Sequence, residues 1–295
     1  MNFHSIDELQ QALEDQLYVA DRGLITAAFL ALKLKRPLFL EGEPGVGKTE
    51  IAKVLATAMN TRLIRLQCYE GLDVSQAVYE WNYTRQMLHI RLLEARGEHA
   101  RDAELFGPEF LLRRPLLQAI EETEQTTPVL LIDEIDRSDE EFEAFLLEIL
   151  SDFQITIPEI GTVKAERPPV VILTSNRTRE VHDALKRRCI YYWIDYPSFE
   201  KEYEIIRAKV PEAPQRLAQE VTRFVEELRE VDLYKVPGVA ETIDWTAALV
   251  ALDQQALSLD VIADTIGVVL KYQDDIAKID NEMAQQILAR VHAPT

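Results

Sequence analysis

The sequence predicts an α/β fold in which a parallel-sheet domain is followed by a smaller all-helical one. Three observations lead there. Leu38–Leu40, Val129–Ile132 and Val170–Leu173 are short, unbroken apolar runs, the signature of strands covered on both faces. Stretches with apolar residues at helical spacing separate them, as parallel crossovers require. From Pro197 onward strand patterns stop and helical patterns take over, so a boundary divides residues 1–196 from residues 197–295.

In chain order, Ser5 and Glu8 form a capping box at the head of helical sequence reaching Lys35, with a second apolar stretch from Leu24 to Leu32. Leu38–Leu40 is the first strand. After Thr49, apolar residues at Ile51, Ala52, Val54, Leu55, Ala58 and Met59 mark a helix. Arg62–Gln67 alternates loosely and reads as a second strand. Asp73 caps a helix over Val74–Tyr79. Glu80–Ile90 alternates in part and reads as an inserted strand pair. It is either a surface hairpin or a loop that lines a pore or touches a client. Leu111, Leu112, Leu116, Leu117 and Ile120 have helical spacing, with Pro115 near a helix start; Thr126–Pro128 ends that stretch. Val129–Ile132 is the next strand, closed by Asp133 and Glu134. Asp139–Leu150 follows as a helix with one apolar face. Phe153–Ile157 and Val163–Ala165 form a hairpin through Pro158 and Gly161. The Val170 strand ends in Thr174-Ser175-Asn176. A short helix over Asp183–Arg188 leads to a last strand, Ile190–Ile194. Helices then cover Phe199–Ala208, Arg216–Glu230, Thr242–Leu252, Val261–Tyr272 and Asn281–Val291, punctuated by Pro211, Pro214 and Pro237-Gly238.

Acids outnumber bases 51 to 32, a formal charge of −19, which repels nucleic acid and anionic membranes. No apolar run is long enough to span a bilayer. Cys68 and Cys189 lie far apart and read as reduced thiols of a cytoplasmic protein. His4, His89, His99, His182 and His292 lack metal-ligand spacing.

Gly42-Glu43-Pro44-Gly45-Val46-Gly47-Lys48-Thr49 matches G-x-x-x-x-G-K-[ST] at every fixed position, between a strand and a helix. In such a loop, glycines let successive amides turn inward on an anion, and the helix adds its positive dipole end. The segment Glu43–Glu50 is therefore the candidate site for the phosphates of a nucleotide. Lys48 reaches the outer phosphates, and the Thr49 hydroxyl holds Mg²⁺. Parallel sheets place ligands beyond the carboxyl ends of their strands. Asp133 there suits orientation of Mg²⁺, and Glu134 suits polarisation of an attacking water. Asn176, ending another strand, is placed to hold that water or the γ-phosphate; a plain turn residue is the alternative.

The order Gly42–Thr49, Leu130–Glu134, Thr174–Asn176, Arg187-Arg188 and then a helical tail resembles an AAA+ ATPase. Within that superfamily GEPGVGKT, the hairpin before VVILTSNRTRE and DALKRRC resemble the MoxR family. YEGLDVSQAVYEWNYTRQMLHIR and PGVAETIDW resemble its CoxD branch, accessory ATPases of molybdenum- and copper-containing carbon monoxide dehydrogenase. The resemblance covers nearly the whole chain. It implies a P-loop nucleotide domain with a helical lid, a hexameric ring, ATP and Mg²⁺ bound between subunits, a partner with a von Willebrand factor A domain, and a client metalloenzyme. It also implies that Arg187 or Arg188 acts on the γ-phosphate of the neighbouring subunit. Solvated helix-end cations are the alternative for that pair. Many AAA+ lids carry a γ-phosphate-sensing arginine where this sequence has Pro237–Thr242. Either that sensor is absent or another cation, such as Lys235, substitutes. A DNA-directed motor of the clamp-loader or McrB type is the rival function; the net charge opposes it, and no Asn-Lys-x-Asp guanine-reading motif is present.

Overall fold

The fold comes from a computed structural model that describes residues 3–97, 102–121 and 127–293. His99 and Thr126 lie outside the described residues. Helix α1 (Ile6–Glu14) and α2 (Arg22–Leu34) precede strand β1 (Leu38–Gly42). The box at the head of α1 is split. Ser5 Oγ accepts from the Glu8 amide at 3.1 Å, while the Glu8 carboxylate accepts from the His4 amide at 2.6 Å, one residue earlier than expected. Helix α3 (Glu50–Ala58) leads to β2 (Leu63–Gln67) and the short helix α4 (Val74–Ala77), which Asp73 and Gln76 close with a reciprocal capping box.

The region read as an inserted strand pair is built differently. Strand β3 (Tyr79–Trp81) stops at Asn82, whose Oδ1 accepts from the Arg85 amide at 3.0 Å and starts helix α5 (Tyr83–Ala95). The partner of β3 lies about thirty residues on. After α6 (Asp102–Leu105), strand β4 (Leu111–Arg113) pairs with it antiparallel, Tyr79 opposite Arg113 and Trp81 opposite Leu111. Leu111 and Leu112 are thus strand, not the first turn of a helix. Helix α7 (Pro115–Ile120) begins only at Pro115, which sits at its first position and has no amide hydrogen to leave unpaired.

Strand β5 (Val129–Asp133) is buried at every position. Helix α8 (Glu140–Asp152) starts at Asp139, whose carboxylate accepts from the Phe142 amide at 2.8 Å. The hairpin is present as β6 (Gln154–Ile157) and β7 (Gly161–Lys164). Strand β8 (Val170–Ser175), helix α9 (Asp183–Lys186) and strand β9 (Ile190–Ile194) complete the sheet. Its order is β2-β5-β8-β1-β9, with β2–β5, β5–β8 and β8–β1 parallel. The three strands that end in candidate reactive residues are therefore neighbours. The pairs Gln67–Asp133 and Glu41–Ser175 bring their carboxyl ends level.

The helical part comprises α10 (Phe199–Lys209), α11 (Gln215–Arg229), α12 (Val239–Ala251), α13 (Leu259–Thr265), α14 (Gln273–Lys278) and α15 (Asn281–Val291). The stretch expected as one helix over Val261–Tyr272 breaks after Thr265 into a 3-10 turn, Ile266–Val268, centred on Gly267. The Thr265 hydroxyl donates to Val261 O at 2.5 Å and accepts the Trp245 indole N–H at 2.8 Å, and its backbone leaves helical geometry there. Helix α14 has too few apolar positions to stand out in the sequence.

Two compact units result. One contains Met1–Leu9, Arg22–Glu41 and Thr49–Trp193; the other contains Gln10–Asp21, Gly42–Lys48 and Ile194–Thr295. The first packs the sheet residues Phe39, Ile64, Leu130, Ile132, Val171 and Leu173 against Phe142, Leu146 and Ile149 of α8. The second centres on Phe224 and Trp245, whose rings lie 5.5 Å apart. Among the described residues no helix is long and apolar enough to cross a membrane.

Candidate functional site

The phosphate loop is shaped by close approaches of backbone to backbone. A Cβ at Gly42 would lie 2.0 Å from the carbonyl oxygen of Ile194, so no side chain fits there. Gly45 and Gly47 have φ of 77° and 91°, the left-handed region that glycine occupies at least cost. Between Glu43 and Glu50 only Pro44 and Gly45 are exposed; Glu43, Val46, Gly47, Thr49 and Glu50 are half-buried. Lys48 is 6% exposed, and its ammonium donates to the carbonyls of Gly42 at 2.8 Å and Glu43 at 2.6 Å. Main-chain oxygens thus hold the cation over its own loop, as burial demands.

Pro237–Thr242, the stretch without an arginine, touches this loop. Ala240 N–H donates to Gly45 O at 3.2 Å. A Cβ at Gly238 would sit 2.7 Å from Pro44 O and 2.9 Å from Gly45 Cα. Arg229 anchors the turn from behind. Its Nε donates to Pro237 O at 3.0 Å, and its two terminal nitrogens grip Glu202 at 2.6 and 2.7 Å. The Thr242 hydroxyl adds a 2.6 Å bond to the same carboxylate. Lys235 is exposed, and its amide donates to Asp275 at 3.1 Å. Gly238→Ala is expected to force the turn off the loop. It should lower stability by about 1–3 kcal/mol, the usual cost of overpacking, as read in a denaturant melt, and weaken nucleotide binding in the same protein.

At the sheet edge, Thr49 caps α3 without a side-chain bond to the helix; its hydroxyl donates to Asp133 Oδ1 at 3.0 Å instead. Thr174 Oγ1 donates to the same oxygen at 2.5 Å. Arg65 holds Asp133 Oδ2 through Nε at 3.1 Å and Nη2 at 2.5 Å. Asp133 is 3% exposed. A buried carboxylate beside a hydroxyl is a hard-oxygen donor pair. It suits Mg²⁺, which keeps several waters and needs few protein ligands. Cys68, next to this corner, reports its field. Burial first, then Asp133, Asp136, Glu134 and Glu143, push its thiol up to about 12. Arg65 already compensates Asp133, so a cation arriving there competes with it. Arg65→Gln is expected to lower the Mg²⁺ concentration for half-maximal turnover about threefold, an effect sized for a half-exposed ion pair; a magnesium titration of phosphate release measures it.

Glu134 follows in a left-handed conformation, φ 55° and ψ 51°. That turn points it off the strand, with its amide donating to Thr174 Oγ1 at 2.9 Å. Asn176 Nδ2 reaches Glu134 Oε1 at 3.4 Å, and Arg137 Nε stands 3.6 Å from Oε2. Asp136 fixes the far side. It accepts from the amides of Asn176 at 3.2 Å and Thr178 at 2.9 Å, and from the Thr178 hydroxyl at 2.6 Å. Thr49, Asp133, Glu134 and Asn176 are thereby gathered, and Arg65 and Thr174 join them. Arg65 lies two residues before Gln67 on β2, so it shares the face that looks across to Asp133. That alternation was its only trace in the sequence.

Arg187 and Arg188 are exposed at the end of α9 and stand apart from this cluster. Arg188 is engaged within its own chain, donating to Ser151 Oγ at 2.8 Å and Ala184 O at 3.2 Å. The Arg187 side chain has no bonded partner among the described residues.

Comparison with known proteins agrees with this architecture. Residues 37–189 match the AAA domain family, dynein-related subfamily. An uncharacterized protein of Staphylococcus epidermidis is 24% identical over 279 residues, 91% of this chain and 94% of that one. The gas vesicle ATPase of Halobacterium salinarum is 23% identical over 267 residues, 87% of this chain and 75% of that one. Among solved structures, a Cytophaga hutchinsonii protein described as an ATPase superposes with a TM-score of 0.50 at 16% identity, covering 97% of this chain and 92% of that one. At such identity the superposition speaks to fold alone. The family match spans just over half of the sequence, so the chain belongs to the AAA domain family, in its dynein-related subfamily, and is an ATPase.

Proposed function

We propose that this ATPase is a MoxR-type remodelling factor of the CoxD branch, acting on a client metalloenzyme whose metal centre needs late assembly. Residues 1–196 form the nucleotide domain and residues 197–295 the lid. The observation that carries the hydrolytic part is that Thr49 bonds Asp133 and Asn176 reaches Glu134, with the Thr174 hydroxyl joining Asp133 to the Glu134 amide. Likeness to a gas vesicle ATPase supports ATP as the nucleotide.

Lys48 and the amides from Glu43 to Glu50 bind the phosphates. Thr49 and Asp133 would hold Mg²⁺, which would supply neutralisation of phosphate charge. Glu134 takes a proton from the water whose oxygen bonds to the γ-phosphorus, while the bond to the bridging oxygen of ADP breaks. Asn176 keeps the Glu134 carboxylate turned toward that water. Arg187, whose side chain has no bonded partner among the described residues of its own subunit, completes the site of a neighbour in a homo-oligomeric, hexameric ring. The client reading rests on the strings YEGLDVSQAVYEWNYTRQMLHIR and PGVAETIDW, and a partner with a von Willebrand factor A domain on the MoxR-like GEPGVGKT, VVILTSNRTRE and DALKRRC.

Ring dependence tests this directly. Phosphate release per subunit should rise steeply over the protein concentrations at which ATP-bound rings appear by mass photometry. Full turnover by monomers would overturn the trans arrangement.

A further inference from the structure

Glu41 is a buried carboxylate that the hydrolytic cluster does not use. It is 3% exposed and immediately precedes Gly42. Its Oε1 accepts from Ser175 Oγ at 3.3 Å. Its Oε2 accepts from the Tyr191 hydroxyl at 2.9 Å and faces the Lys186 ammonium at 3.5 Å. Lys186 also meets Glu180 at 3.3 Å and lies over the Phe39 ring, 5.8 Å from its centre. Burial and the bond to Glu41 push the Tyr191 phenol up to about 12, so it remains a donor.

An ion pair at 3.5 Å, most of it withdrawn from water, does little for stability; such pairs are better understood as fixing one geometry. What this one fixes is legible in the chain. Lys186 ends α9, and the next residue is Arg187. The backbone under Arg187 is gripped from the other side too. The Arg36 guanidinium donates to the carbonyls of Arg187 at 2.5 Å, Arg188 at 2.9 Å and Cys189 at 3.4 Å. Main chain is pinned at both flanks while the Arg187 side chain projects into solvent. That is the arrangement of a side chain held out for another molecule.

We infer that Glu41 is a positioning residue: through Lys186 it sets the end of α9 so that Arg187 is presented to the adjacent subunit. The inference rests on the trans role of Arg187 proposed above. Glu41→Gln should therefore keep nucleotide affinity and lose turnover, a fall in kcat without a matching rise in KM.

Mixing experiments separate this from a defect in the subunit's own site. Lys48→Ala subunits bind no nucleotide but still present Arg187; Glu41→Gln subunits bind nucleotide but present it poorly. In rings formed at equal ratio, about a quarter of interfaces pair an intact site with an intact arginine, as random placement around a heterologous ring dictates. Turnover should recover toward about that share of wild type, where each variant alone shows almost none. Lys186→Gln mixed with Lys48→Ala should recover equally, and carries the test if Glu41→Gln does not fold. Arg187→Ala mixed with Lys48→Ala is the reference. Recovery in that pair without recovery in the Glu41 and Lys186 pairs would overturn the inference and leave the trans role standing. No recovery in any pair would remove the trans role and this inference with it. Wild-type turnover by Glu41→Gln alone would also overturn it.

Discussion

Glu134→Gln is expected to bind ATP as the wild type does and to release phosphate about 10²- to 10⁴-fold more slowly, the range for losing a positioned general base. Glutamine fills the same space and still accepts from Asn176 Nδ2, so the 3.4 Å contact and the left-handed turn at residue 134 persist. Only the capacity to take a proton is removed. Phosphate release in a single turnover, set beside an equilibrium titration with labelled ATP, gives both quantities from one preparation. Undiminished turnover would assign the proton to another group. The same variant should accumulate as ATP-bound rings, and proteins that co-purify with it would identify the client.

Arg187→Ala is expected to cost about 10³-fold or more in turnover at ring-forming concentration, the scale of arginine residues that stabilise phosphoryl transfer across an interface. Nucleotide binding and ring assembly should survive, since the Arg187 side chain has no bonded partner in its own subunit among the described residues. Arg188→Ala is the informative neighbour. Its guanidinium already bridges Ala184 O in α9 and Ser151 Oγ in α8, so its loss should loosen that corner and lower turnover far less. The reverse ranking of the two variants would move the trans role to Arg188.

Much of the sheet was legible because its strands are extreme. Val129–Ile132 and Val171–Leu173 are buried without a break, and no amphipathic pattern competes with that reading. The phosphate loop was legible because its glycines are demanded by backbone geometry. The insertion from Glu80 was not. Helix α5 carries exposed Tyr83, Met87, Leu88 and Leu92, so its apolar residues do not mark its buried side, and Asn82 as a cap was the only local sign of where it begins. Strand β4 was hidden because its partner lies far along the chain, and Leu111-Leu112 fits a helix as well as a strand. Arg65, Glu41 and Lys186 were missed for a shared reason. Each acts through a contact between elements distant in sequence, and no spacing rule encodes such a contact.

The meeting of Gly238 with Gly45 bears on how a saturation library of this protein would score. Position 45 would be intolerant, and the motif around it would supply a ready explanation. Position 238 would be nearly as intolerant, 193 residues away and outside the phosphate-loop motif, and a reader of the scores would suspect a ligand contact. The cause is volume alone: two main chains meet there with no space for a methyl group, so alanine at 238 should score almost as poorly as any larger residue.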